Sequence, residues 1–339
     1  VRVWAVVAVA CMFSAVMSSP SLSEEKFSYF SSSERYRQGV HDDKYVYIQN
    51  DVLRVGVDLT RGGSIGYLSQ VDTDHNVINC HDMGREVQLS FYAGPSSYDP
   101  AECGASTPWG QAWPWNPIGA GDVDGNHGQI LSLEHNDTDL HVVSRPLQWA
   151  CKNVSCECVF EQTLHLDGTA LWVHNVLRNN RSDHADYGAF GQELPAAYSI
   201  GELYRLVSYT GDQPWTSGAL TDFKNASGPP WVPGIFSATE SWAALVDANG
   251  WGFGVFSPNI TQFNGGFSGA KGHGGPQDDP TGCTTSAWPL HPSSPSSQTS
   301  RPSPRSTSRG TRSSSSTLHL FSGTSIPSGH TRSSTITQA

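Results

Sequence analysis

Two stretches of two-residue alternation constrain this chain more than anything else in it. In residues 53–59, Leu53, Val55, Val57 and Leu59 fall on one side of an extended chain, and Arg54, Gly56 and Asp58 on the other. In residues 158–166, Phe160, Leu164 and Leu166 share one side, and Glu161, Thr163 and His165 the opposite one. Successive side chains of a strand point to opposite faces, so this period marks antiparallel strands with one face in a core. Further strand-like runs cover 45–49, 87–93, 139–144, 170–177, 203–209, 242–246 and 252–256. Arg61-Gly62-Gly63, Asp167-Gly168 and Asn249-Gly250 supply turn signals between them. No long helical period and no internal repeat is visible. The expected fold is all-β, a large antiparallel two-sheet β-sandwich over residues 44–283.

The N-terminus reads as a secretion signal over residues 1–22, followed by an extension over 23–43. Arg2 precedes an apolar run, 3–17, broken by Ser14, and small residues follow before Glu24 and Glu25. The run is shorter than the about 20 residues that a membrane span needs. Cys11 would leave with the signal, and Cys80, Cys103, Cys151, Cys156, Cys158 and Cys283 would remain. An even set of cysteines in an oxidising compartment points to disulfides, with the pairing open. Asn136, Asn153, Asn180, Asn225 and Asn259 each begin an N-x-S/T acceptor with no proline in the middle. The expectation is a secreted, extracellular glycoprotein with no membrane association after signal cleavage. A net charge of −11 argues against nucleic acid, which needs a basic face.

Composition changes abruptly after Cys283. Residues 284–339 hold no Asp, Glu or Lys, and carry Arg301, Arg305, Arg309, Arg312 and Arg332 among Ser, Thr and Pro. Such a segment lacks the apolar content for a core and is expected to be a disordered tail. It reads either as an O-glycosylated stalk or as a frameshifted segment in place of the natural C-terminus.

The richest candidate for chemistry is the Gly/Pro-rich, aromatic region 81–128. Trp109, Trp113 and Trp115 lie within it, with Tyr92 and Arg85 upstream and Asn116 and Gln88 beside them. Indole faces stack on the apolar faces of sugar rings while nearby polar groups take the hydroxyls. The alternative is that the tryptophans plug one end of a sandwich. Arg85 pairs with Glu86 or takes a carboxylate or sulfate. Asp122, Asp124 and Asn126 resemble the start of a calcium loop, but Gly125 falls two places early and Leu133 stands where the closing Glu belongs, so no cofactor is expected. Tyr204, Arg205 and Tyr209 form a Tyr/Arg group of a kind suited to elimination chemistry.

Three stretches carry a resemblance: NDVLRVGVDLTRGGSIGYLS (50–69), FEQTLHLDGTALWVHNVLRNNRSD (160–183) and WAALVDANGWGFGVFSP (242–258). Together they resemble galactose-mutarotase-like β-sandwich proteins of carbohydrate chemistry. The resemblance implies a sugar-binding face and a poly- or oligosaccharide partner. It also implies a catalytic His near residues 191–198, where this chain instead has Gln192 and Glu193, with Tyr198 close by and His184 upstream. Glu193 is then the candidate acid or base, with His184 and Tyr198 as further proton-transfer groups and Arg205 as a binding residue. The expected function is a glycan-cleaving enzyme, a glycoside hydrolase or a polysaccharide lyase. Two alternatives stand beside it: a non-catalytic glycan binder using the tryptophan loop, and a sugar epimerase.

Expressed in a eukaryotic secretory host, the chain should reach the medium and lose mass on treatment with peptide N-glycosidase. Intracellular retention with no mass change would count against this reading.

Overall fold

The computed structural model describes residues 9–10, 44–73, 75–79, 86–91, 116–180, 193–223, 232–267, 288–292 and 312–321. Among them there is no helix, and the strands in chain order are β1 (Val9–Ala10), β2 (Tyr45–Gln49), β3 (Leu53–Asp58), β4 (Ser64–Gln70), β5 (Val87–Ser90), β6 (Pro117–Ile118), β7 (Gln129–His135), β8 (Asp139–Arg145), β9 (Leu147–Gln148) and β10 (Cys158–Asp167). They continue as β11 (Ala170–Asn179), β12 (Glu193–Ser199), β13 (Arg205–Ser208), β14 (Thr221–Asp222), β15 (Val232–Ser237), β16 (Trp242–Val246), β17 (Gly252–Phe256), β18 (Gln262–Phe267), β19 (Trp288–Pro292) and β20 (Arg312–Phe321).

These strands form two ten-stranded antiparallel sheets packed as a β-sandwich. Sheet I runs β15-β18-β19-β12-β5-β4-β3-β2, with β6 and β9 attached through β5. Sheet II runs β14-β13-β16-β17-β20-β11-β10-β8-β7, with β1 against β20. The core lies between them. Leu53, Val55, Val57, Ile65 and Val87 of sheet I belong to the same buried cluster as Leu140, Val142, Leu164, Leu171 and Val173 of sheet II. Each fully buried aliphatic side chain contributes about 1.5–3 kcal/mol relative to exposure, so this layer dominates the stabilisation.

The alternation read in 158–166 holds along β10, where Phe160, Leu164 and Leu166 are buried and Thr163 and His165 are exposed. In β3 it holds only in part. Leu59, expected on the core side, is 38% exposed because the chain has already left the strand for the turn. Gly56 and Asp58, expected on a wet face, are buried. Tyr47 and Tyr67 lie over Gly56, meeting edge to face with ring centroids 5.4 Å apart. In β7, Leu131 is an extra residue bulged out between Ile130 and Ser132, which leaves it 41% exposed on an edge strand.

Cys156 and Cys158 form a disulfide beside β10, and Cys151 is also disulfide-bonded. Two stretches of the segment after Cys283, expected to be disordered, run as strands. Backbone pairing explains this: β19 lies between β12 and β18, and β20 fills the slot between β11 and β17. Val9–Ala10, within the expected signal segment, pairs with residues 317–318.

Without β20 the long strand β11 and the strand β17 would both present open edges. A chain ending at residue 311 should therefore aggregate or lose its cooperative thermal transition. Unchanged melting of that truncation would show that β20 does not close the sheet.

Candidate functional site

The strand pair β5–β12 places the carboxylate singled out in the sequence. Ala197 lies opposite Val87, Ala196 opposite Gln88, and Glu193 opposite Ser90, with a bulge between Glu193 and Ala196. Val87 and Ala197 point into the core, so this register sets Glu193, Ala196 and Tyr198 on the outer face of sheet I. Glu193 is partly exposed. Tyr198 is buried on that face against Ala196. Ser90 Oγ donates to Asn116 Oδ1 at 3.2 Å, and Asn116 N–H donates to Gln148 Oε1 at 3.1 Å. Glu193, Asn116 and the position of Gln88 therefore lie on and beside one end of this strand pair, and Tyr198 lies at its other end, next to Glu86.

Arg205 is not among them. It sits on β13 of sheet II, where its Nη2 and Nε donate to Asp222 Oδ2 at 2.8 and 3.1 Å. Its Nη1 donates to the carbonyls of Asp247 and Ala248. This arrangement ties β13 to β14 and to the β16–β17 turn. Arg85, Tyr92, Trp109, Trp113, Trp115, His184 and Gln192 lie outside the described residues. Of the glycosylation acceptors, Asn136, Asn153, Asn180 and Asn259 are all exposed, and Asn225 lies outside the described residues.

At the other end of β5 stands a buried charged group that sequence reading passed over. Glu86 is wholly buried with its backbone at φ 79, a costly conformation for a residue with a side chain. Its backbone carbonyl accepts from Tyr198 N–H at 3.0 Å, which ties it to β12. Arg61 Nε lies 3.7 Å from Glu86 Oε1 and 3.9 Å from Asp58 Oδ2. Lys44 Nζ lies 3.1 Å from Asp58 Oδ2. A carboxylate can only accept, yet no donor reaches either Glu86 oxygen or Asp58 Oδ2 in good geometry. Both carboxyl groups lie beside the one Arg61 guanidinium. Burial, and next the negative charge of Asp58, push the Glu86 pKa well above the usual carboxylate range against the opposing pull of Arg61. The pKa of the Tyr45 hydroxyl is raised too, by burial first and then by the neighbouring carboxyl groups of Glu86 and Asp58. The sequence signals for this group were Asp58 on a supposedly wet face of β3 and Glu86 as a partner for Arg85, which lies outside the described residues.

The 122–126 loop is built around its own carboxylate. Asp122 Oδ1 accepts from the N–H groups of Asp124 and Asn126, and Oδ2 accepts from Asn126 Nδ2 and from Asn153 N–H. Oδ1 thereby closes the loop on itself, and Oδ2 also holds it to the 150–155 segment. Among the described residues no three His, Cys, Asp or Glu side chains converge as metal ligands. A small cavity between the sheets, lined by Gly62, Gly63, Gly119, Val142 and Phe160 among others, has room for about one water molecule. That volume is too small for a sugar ring.

The chain is similar to solved galactose mutarotase-like and aldose 1-epimerase structures. A galactose mutarotase-like protein from Lactobacillus casei has 12% sequence identity and a TM-score of 0.40, with 82% of this chain and 100% of that chain covered. A provisional aldose 1-epimerase from Escherichia coli K12 has 14% identity and a TM-score of 0.39, with 82% and 98% covered. A provisional mutarotase from Salmonella typhimurium has 11% identity and a TM-score of 0.41, with 84% and 92% covered. At these scores the likenesses carry no argument about chemistry. No family model matches the sequence, and no curated protein matches it.

Glu86 binds a proton in the folded state that it releases in the unfolded chain above about pH 4.3. Its contribution to stability is therefore fully present below that pH and is lost as pH rises toward the folded pKa. Glu86→Gln keeps a neutral side chain beside Asp58 at every pH. Urea unfolding should show the variant gaining stability over the parent as pH rises from 4 to 8. A pH-independent difference between the two would overturn the protonated state.

Proposed function

We propose that the protein is a secreted carbohydrate-active protein that cleaves a poly- or oligosaccharide on the outer face of sheet I. The observation that carries the reading is the placement of Glu193. It is a partly exposed carboxylate, set by the β5–β12 register beside Ser90, Asn116 and the position of Gln88. Glu193 transfers the proton to or from the reacting oxygen or carbon, and the buried Asn116 fixes Ser90 beside it. Tyr198 packs behind this face and holds it through its backbone bonds to Glu86 and Asn79.

Several features support this reading. The three sequence stretches resemble galactose-mutarotase-like proteins. The exposed acceptors Asn136, Asn153, Asn180 and Asn259 suit a chain that passes through a secretory pathway. Glu193 and Glu86 lie at opposite ends of one strand pair, with a backbone offset of four residues, roughly 13 Å. They are therefore not set as the close carboxylate couple of a retaining glycosidase, and the second group of a hydrolase would come from another segment.

Incubation with neutral and acidic polysaccharides tests the reading. New reducing ends without ultraviolet-absorbing products mean hydrolysis, and absorbing products mean elimination. Glu193→Gln should lower turnover at least about 100-fold. Full activity in that variant would remove Glu193 from the mechanism. Faster anomer exchange of a free monosaccharide, with no polymer cleaved, would make the protein an epimerase instead.

A further inference from the structure

Away from that face, the 210–219 connection between β13 and β14 displays an indole under constraints that a simple connector does not need. Trp215 is 45% exposed. Its backbone is at φ 64 and that of Ser217 at φ 59, a left-handed conformation that is costly for bulky side chains. The loop is held there from below. Trp215 N–H donates to Glu240 Oε1 at 2.5 Å, and Glu240 Oε2 accepts from Trp242 Nε1 at 2.8 Å. Glu240 itself is 5% exposed, so a buried carboxylate clamps the exposed segment. The Tyr209 hydroxyl donates to the Gln213 carbonyl at 2.8 Å, and Thr239 Oγ1 donates to the Gly211 carbonyl at 2.7 Å. Gly211 and Gly218 close on the Tyr209 ring, where a Cβ would come within 2.5 and 2.7 Å of its atoms. The indole is thus presented by a fixed loop.

Its surroundings select a ligand class. Asp212, Gln213, Thr216 and Ser217 are all exposed around it, giving one apolar ring face bordered by short hydrogen-bonding groups. One pyranose has that complementarity, with C–H groups on one face and hydroxyls at the rim. A protein partner would need an interface near 1,000 Å² with several apolar residues at its centre. The other exposed large hydrophobic residues among those described are Leu59, Val71, Leu131 and Ile235, and none belongs to this loop. The net charge of −11 disfavours a polyanionic glycan.

We infer that the Trp215 loop is a sugar-stacking site for a neutral polysaccharide, distinct from the Glu193 face. It shares with the proposed function only the glycan class of the ligand. The test is native affinity electrophoresis of the full chain through gels containing hydroxyethyl cellulose, mixed-linkage β-glucan, arabinoxylan or galactomannan, with polygalacturonate as the acidic comparison. At least one neutral polymer should retard the protein. Trp215→Ala should weaken that retardation about tenfold, a change of roughly 1.4 kcal/mol, while Trp215→Phe keeps most of it. Both variants alter an exposed side chain and should melt like the parent. Equal retardation of Trp215→Ala and parent would overturn the inference. So would passage through all neutral gels, retardation by polygalacturonate alone, or a change of oligomeric state in Trp215→Ala. Glu193→Gln separates the two readings. If it leaves polysaccharide turnover unchanged while Trp215-dependent retention persists, the cleavage reading fails and this site stands.

Discussion

The β3–β4 turn packs against the backbone at Gly119 and against Val142 of β8 in sheet II, and much of the structure depends on that contact. Gly62 and Gly63 stand at φ 62 and 81, and the turn has no room for side chains. A Cβ on Gly62 would fall on the Gly119 carbonyl oxygen, and one on Gly63 would meet Val142 Cγ2 at 2.7 Å. Asp58 fixes the turn from the strand side. Its carbonyl accepts from Arg61 and Gly63, and its carboxylate accepts from Thr60 at 2.8 and 2.7 Å. The turn in turn places Arg61 beside Glu86, at the start of β5. From there the β5–β12 register carries through to Glu193. A side chain at Gly62 or Gly63 would push the sheets apart and disturb that whole series.

Buried carboxylates recur as the fastening device of the loops. Asp58, Asp122 and Glu240 each accept backbone N–H groups from a neighbouring turn. Such bonds satisfy both oxygens of Asp122 and Glu240 and one oxygen of Asp58, which lowers the cost of burying them. Glu86 differs from these three: among the described residues neither of its oxygens accepts a hydrogen bond, and burial raises its pKa. The same chemical group therefore plays two roles, decided by whether donors converge on it.

Much of the sandwich was legible in the chain. The runs at 45–49, 242–246 and 252–256 match the strands β2, β16 and β17, because strand propensity and flanking turns are local properties. The strands β7, β15 and β18 were not legible. β7 is an exposed edge with a bulge, and β15 and β18 pair through glycine-containing sequences. Neither gives a clean two-residue period. Glu193, Tyr198 and Asn116 were named from the sequence, but their meeting depends on a strand pairing between residues a hundred positions apart. Arg205 was named as a ligand group and is engaged by Asp222 and turn carbonyls. Trp215 gave no signal because one tryptophan in a polar loop has no periodic partner.

By itself the sequence determined the strands with a clean two-residue period, such as β2, β16 and β17, and the turns beside them, since each depends on neighbours within a few residues. Only the tertiary structure decided that both faces of β3 are covered, that the Glu86 carboxyl is buried beside Asp58 with a raised pKa, and that Glu193 faces outward. Those outcomes depend on burial and on cross-strand register, which arise when Tyr47 and Tyr67 pack over Gly56 and when β12 pairs with β5. Burial sets the charge state of a carboxyl group, and register sets its face, and neither is a property of a residue read alone.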